Sequence, residues 1–146
     1  MKIKILAIIM ALLLLAGCTS SAGEAEDSVF EISERFFSTQ FVEIFLNVDD
    51  FIGRTIRYEG IFEEFNNASG EHFYVVFRYI VGCCGIEGHL GLELILNDIE
   101  PLPDGTWTEV SGILAMHEEG GQSVLRLDVI SLVELDTRGL EAVPGL

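Results

Sequence analysis

The sequence predicts a mainly β domain: a small, five-stranded, OB-like, partly closed barrel with one short N-terminal helix in front of it. Three observations carry that expectation. Apolar spacing changes from a helical repeat to a repeat of two at Thr55. Turn-forming clusters then divide the rest of the chain into five stretches of uneven length. The first of these stretches is long and carries Gly60 in its interior, where a barrel strand bends or bulges. A two-sheet sandwich is the alternative.

The elements follow in order. Phe37, Phe41, Ile44 and Phe45 form a helical stripe, with Ser38 or Thr39 as candidate caps and an end near Asn47. From Thr55, Ile56, Tyr58 and Phe62 share one face of a strand, and Arg57 and Glu59 share the other. The turn cluster Asn66-Asn67-Ala68-Ser69-Gly70 leads into Phe73 to Val81, which is apolar on both faces and so predicts an enclosed core. Leu90, Leu92, Leu94 and Leu96 alternate in the third strand. Pro101, Pro103, Asp104 and Gly105 break the chain before Trp107 to Met116, where Gly112 is again interior. Glu118-Glu119-Gly120-Gly121 signals a hairpin into the last strand, Val124 to Leu135.

Ahead of this domain the chain carries a different pattern. Lys2 and Lys4 precede an apolar run from Ile5 to Leu14, too short for an ordinary spanning helix. Leu15-Ala16-Gly17-Cys18 follows, and it closely resembles the lipobox of bacterial lipoproteins. The resemblance implies a signal peptide over 1–17, cleavage before Cys18 and acylation of that cysteine, palmitate included. Residues 18–29 are small, polar and acidic and read as a flexible tether. Residues 30–146 are then one domain, placed at the cell membrane on its extracytoplasmic face with the lipid bilayer as first partner.

Charge narrows the partners. Losing Lys2 and Lys4 takes the formal net charge from −16 to −18 and leaves a chain with arginine but no lysine. Such a surface repels phosphate backbones, so no nucleic-acid role is expected although the barrel class often has one. Cationic partners and metal ions are favoured, or the acidity only keeps the domain soluble.

The one dense chemical cluster is Gly82-Cys83-Cys84-Gly85-Ile86-Glu87-Gly88-His89, expected as a loop between strands. Cys83, Cys84, Glu87 and His89 are all ligand types for a borderline-soft ion such as zinc. Their spacing is unlike a zinc finger. Three other readings stand beside the metal site: a vicinal Cys83–Cys84 disulfide, a pair of small buried residues closing a barrel end, and thiol-disulfide redox chemistry. With Cys18 acylated, no other intramolecular pair exists.

Five segments also resemble an uncharacterised bacterial family described as soluble subunits of a permease, encoded beside a predicted membrane permease and linked to metal homeostasis. They are Phe41-Val42-Glu43-Ile44, Asn47 to Arg54, Gly60-Ile61-Phe62, Arg78-Tyr79-Ile80-Val81-Gly82-Cys83-Cys84, and Trp107-Thr108-Glu109-Val110-Ser111-Gly112. The resemblance implies a permease partner. Two departures stand out: Glu87 replaces the family's aspartate in a shorter loop, and a lipid anchor replaces fused membrane helices.

Enzyme signatures are missing: there is no glycine-rich phosphate loop, no Gly-x-Ser-x-Gly elbow and no His-Glu-x-x-His. His72 and His117 fall near expected turns, and Asp49-Asp50 and Glu63-Glu64 read as solvated faces. The sequence therefore predicts a non-enzymatic binding lipoprotein, metal-binding or accessory to a transporter. A structural or protein-interaction module with a Cys-Cys staple is the alternative.

Overall fold

The computed structural model describes residues 29–67 and 70–145. The expected signal peptide, the lipidation position Cys18 and all but the last residue of the tether lie outside the described residues. Strand β1 (Phe30–Glu31) leads through a 3-10 turn (Glu34–Phe36) into helices α1 (Phe37–Leu46) and α2 (Val48–Phe51). Strands β2 (Thr55–Asn66), β3 (His72–Gly82), β4 (Gly85–Ile95), β5 (Thr106–Glu119), β6 (Gln122–Glu134) and β7 (Ala142–Pro144) follow.

Five of these strands close a barrel. The ring runs β2, β5, β6, β4, β3 and returns to β2, antiparallel throughout except for the β4–β6 pair. That strand order, with its single parallel junction, is the OB-type arrangement the sequence predicts. Two short strands join the expected five: β1 lies parallel on β2, and β7 lies parallel on β3. Among the described residues no helix is long and apolar enough to cross a membrane.

The barrel interior is built from the positions that alternation selected. Ile56, Tyr58 and Phe62 of β2 are buried with Val76, Leu92, Leu94, Val110, Leu114 and Leu127. Helix α1 plugs one end with Phe37, Phe41 and Ile44, all but excluded from solvent. The Phe37 and Phe41 rings meet the Tyr58 ring edge-on at 6.1 and 5.1 Å. Tyr58 could not sit there without partners. Its hydroxyl donates to the Val76 carbonyl at 2.8 Å and accepts from the Leu92 amide at 3.1 Å, tying three strands together. Burial raises its pKa above the ordinary tyrosine value.

The helix begins earlier than its candidate caps imply. Ser38 and Thr39 lie inside α1, which continues directly from the 3-10 turn with no side-chain cap. The Ser38 hydroxyl instead donates to the Pro144 carbonyl at 2.6 Å, holding the C-terminal strand against the helix. Both interior glycines lie where a neighbouring strand approaches closely, but Gly60, where a bend or bulge is expected, pairs with Thr108 in unbroken register. A Cβ on Gly60 would meet the Phe77 carbonyl at 2.6 Å, and one on Gly112 would meet the Asp128 carbonyl at 2.5 Å. Gly112 marks a bulge where β6 gains an extra residue, Ile130.

Strand β3 is apolar on both faces for a reason the sequence did not give. One face lines the barrel, while on the outside Ile61, Val75, Phe77 and Trp107 form a second small core. Phe65, Phe73, Tyr79 and Leu135 pack around it.

Candidate functional site

The cysteine segment is a hairpin tip rather than a loop. Gly82 pairs with Gly85, so Cys83 and Cys84 are the two central residues of a tight β3–β4 turn. Neither cysteine has a positive φ; Gly85 takes that conformation at +125°. Strand β4 therefore starts at Gly85, and Glu87, Gly88 and His89 belong to the sheet. Pairing shifts between Ile80 and Val81, leaving Glu87 as the extra residue of a bulge. Its carboxylate folds over Gly82, in the space a Cβ there would need.

Both cysteines are exposed and carry free thiols, with Sγ atoms 3.3 Å apart. Exposure rules out the reading of them as buried residues closing a barrel end. Val81 and Ile86 beside them are also exposed, at 37% and 65%. The remaining tip backbone is anchored by β7, which pairs with Tyr79 to Val81, and by the Gly145 amide on the Val81 carbonyl at 3.0 Å.

His89 points its ring elsewhere. It stacks on Phe65 with centroids 5.8 Å apart and meets Phe77 edge-on at 5.3 Å. The expected set of Cys83, Cys84, Glu87 and His89 is thus brought together only in part: two sulfurs and a neighbouring carboxylate at the tip, with the imidazole committed to an aromatic stack. Among the described residues no group of three or more His, Cys, Asp or Glu side chains is placed to hold a metal ion. His72 contacts Glu64, and His117 sits 2.9 Å from Asp128, so each has a carboxylate partner away from the tip. Asp49 and Asp50 are exposed in the first turn of α2.

Arg78, in the same stretch of sequence, has the opposite environment, and its burial escaped the sequence reading. It lies on β3 just past the last β2–β3 pair, where the two strands part. Its side chain is 2% exposed. The guanidinium lies over the Phe37 ring at 4.7 Å and over the Trp107 ring at 4.9 Å. Nε donates to the Glu59 carbonyl at 2.9 Å, standing in for a strand-to-strand bond, and Nη1 reaches Glu34 at 3.3 Å. Burial lowers its pKa, with Glu34 and Glu59 opposing that shift. The Leu140 amide also donates to Glu34 at 2.8 Å, and Gly139 packs against Trp107 where a side chain would not fit. The signal that could have been read is alternation: Arg78 is in phase with Tyr74, Val76 and Ile80, which belong to or pack on the barrel core.

These observations define the class of protein: a closed five-stranded barrel, plugged by a short helix, that presents an exposed vicinal dithiol on a hairpin. Comparison with protein families then shows the family. The model of the DUF1980 C-terminal domain matches residues 19–137, and the chain belongs to that family. No curated protein matches it.

Proposed function

We propose that this chain is a non-enzymatic binding lipoprotein, held on the extracytoplasmic face of the cell membrane by acylated Cys18, and that its Cys83–Cys84 tip takes a thiophilic divalent ion of the zinc class. A permease in the same membrane is the partner such a carrier would serve. The observation that supports the reading best is the pair of free, exposed thiols 3.3 Å apart on the β3–β4 turn. Thiolate and carboxylate are donor types such an ion takes, and Cys83, Cys84 and Glu87 would have to close round it, since the three are not placed to hold an ion here. The remaining positions fall to water, to a partner, or to His89 once it leaves Phe65.

The Sγ separation also favours a second reading, a vicinal disulfide. In that exchange Cys83 and Cys84 lose two protons and two electrons to the disulfide of a partner protein, which leaves as two thiols.

Mass spectrometry of the native mature protein tests anchor and tip together. The expected result is a chain beginning at Cys18 with fatty-acyl mass, and Cys18→Ser protein that leaves the membrane or retains its leader. A Cys18→Ser variant that still carries acyl mass in the detergent phase overturns the anchor. Calorimetry with zinc on reduced protein should show binding that weakens as pH falls, because protons compete for the thiolates. Protein that weighs two hydrogens less and ignores zinc until reduced favours the disulfide. No zinc binding in either redox state overturns the metal reading.

A further inference from the structure

The two ends of β2 lead to surfaces of different kinds. Beyond Asn66, the described residues of the β2–β3 connection, Asn67, Gly70 and Glu71, are polar or glycine, and so are Glu118 to Gln122 of the β5–β6 turn. Before Thr55 the surface is apolar. Phe45 and Leu46 end α1 and Ile52 follows α2, all three exposed and Leu46 at 77%. Val29 is exposed beside them: it precedes Phe30, whose ring meets that of Phe51 edge-on at 5.0 Å, and Ile52 follows Phe51. Leu46 is no overflow of the core stripe. It lies nine residues, two and a half turns, beyond buried Phe37 and so stands on the opposite side of α1. Exposed hydrophobics scattered singly need no explanation, but four gathered at one end mark a contact surface.

The chain that enters here and the charges around the patch indicate what covers it. Residues 19–28 separate Cys18 from Val29, so the chain reaches the domain at this patch, and an anchored Cys18 keeps Val29 within about 40 Å of the bilayer. With the domain already confined there, a few apolar side chains suffice to orient it. Arg54 sits at the patch, its guanidinium over the Phe30 and Phe51 rings at 5.3 and 5.0 Å and in no ion pair with a described residue. Asp49 and Asp50 are exposed in the first turn of α2. An arginine and carboxylates around an apolar centre match the phosphate and the ammonium of a zwitterionic headgroup. An anionic headgroup would meet two acids for one arginine.

We propose that this end of the barrel, with Val29, Phe45, Leu46, Ile52 and Arg54, rests in the headgroup layer of the bilayer that holds the anchor. The inference rests on the anchor reading and is independent of the metal reading. The test is amide NMR on the native protein, purified from its membrane and placed in phosphatidylcholine nanodiscs that carry a trace of gadolinium-chelating lipid. Signals of Phe45, Leu46 and Ile52 should broaden severalfold more than those of Glu71 and Gln122. Leu46→Glu combined with Ile52→Glu should remove that difference, with unchanged Tyr58 and Leu92 amide shifts showing the barrel intact. Arg54→Gln should reduce it, and so should added phosphatidylglycerol. Acylated protein that stays with the discs but broadens equally at both ends, or whose broadening survives the double variant, overturns this proposal and leaves the anchor standing. Protein without acyl mass that leaves the discs overturns the anchor, and this proposal with it. Signals of Phe45, Leu46 and Ile52 that respond to protein concentration rather than to gadolinium assign the patch to a second copy of the chain and overturn it.

Discussion

Arg78 and the Cys83–Cys84 pair belong to one short stretch of β3 and its turn, yet the structure treats them as opposites. The arginine is enclosed by Phe37, Trp107, Glu34 and the Glu59 carbonyl, in a position where nearly every contact serves the fold. The cysteines are exposed to solvent, each with the other's sulfur 3.3 Å away. Buried residues with satisfied partners hold a structure together, while exposed reactive ones must be explained by what they meet. Residues that sit side by side in sequence therefore need separate physical accounts.

The strongest way to break that comparison is at Arg78. Arg78→Ala removes the filling between two aromatic rings and leaves the Glu59 carbonyl without its donor. Stability to urea should fall by about 3 kcal/mol. Arg78→Lys keeps the charge but not the planar fork, and should lose about half as much. If Arg78→Ala costs no more than Arg138→Ala, an exposed control, the enclosed arginine is not holding the barrel split together.

Somewhat smaller losses are expected where backbones approach closely. Gly60→Ala and Gly112→Ala each drive a methyl against a carbonyl of the neighbouring strand, and each should cost about 1–3 kcal/mol. Gly53→Ala is a useful contrast, since a Cβ there meets nothing within 4 Å. Any loss there comes from its positive φ alone.

Tyr58 gives a test in pH. Its raised pKa means the folded protein favours the neutral phenol more than the unfolded chain does. The stability this contributes is complete below the unfolded value near 10 and is lost as pH rises from there toward the higher folded value. Tyr58→Phe leaves the Val76 carbonyl and Leu92 amide without their hydroxyl partner, costing about 1–2 kcal/mol at neutral pH. It should also flatten the alkaline decline. Urea midpoints from pH 8 to 11 check both, and an unchanged alkaline slope in the variant would remove Tyr58 as its source.

How much of this was legible beforehand differs between the two regions. The barrel was readable because alternation at Ile56, Tyr58 and Phe62 and at Leu92, Leu94 and Leu96 is a local property, and the turn residues are local too. The additional strands β1 and β7 were not, since two or three residues show no periodicity and their pairing depends on distant partners. The apolar outer face of Phe73 to Val81 suggested enclosure. A second core outside the barrel produces the same pattern. At the tip, composition named the reactive residues but could not reveal the turn: whether His89 faces the sulfurs depends on the Glu87 bulge and on Phe65, which belongs to another strand. The burial of Arg78 is not legible from its residue type, because an arginine in a strand ordinarily faces water.

The smallest expected stability effect is the one that sharpens the comparison most. Cys83→Ser and Cys84→Ser replace exposed sulfur with oxygen at the centre of a turn whose positive φ is carried by Gly85, so each should change unfolding free energy by no more than about 0.5 kcal/mol. The same substitutions should strongly weaken zinc binding by the reduced protein, since a hydroxyl does not replace a thiolate for a borderline-soft ion. Glu87→Ala should weaken it less, because water can take the place of one carboxylate oxygen. His89→Ala separates the residue's two environments: it should cost stability through the Phe65 and Phe77 contacts while barely moving zinc affinity. If His89→Ala instead abolishes zinc binding, the imidazole leaves its stack to reach the metal. If the serine variants unfold the protein, the tip belongs to the architecture after all, and the contrast with Arg78 disappears.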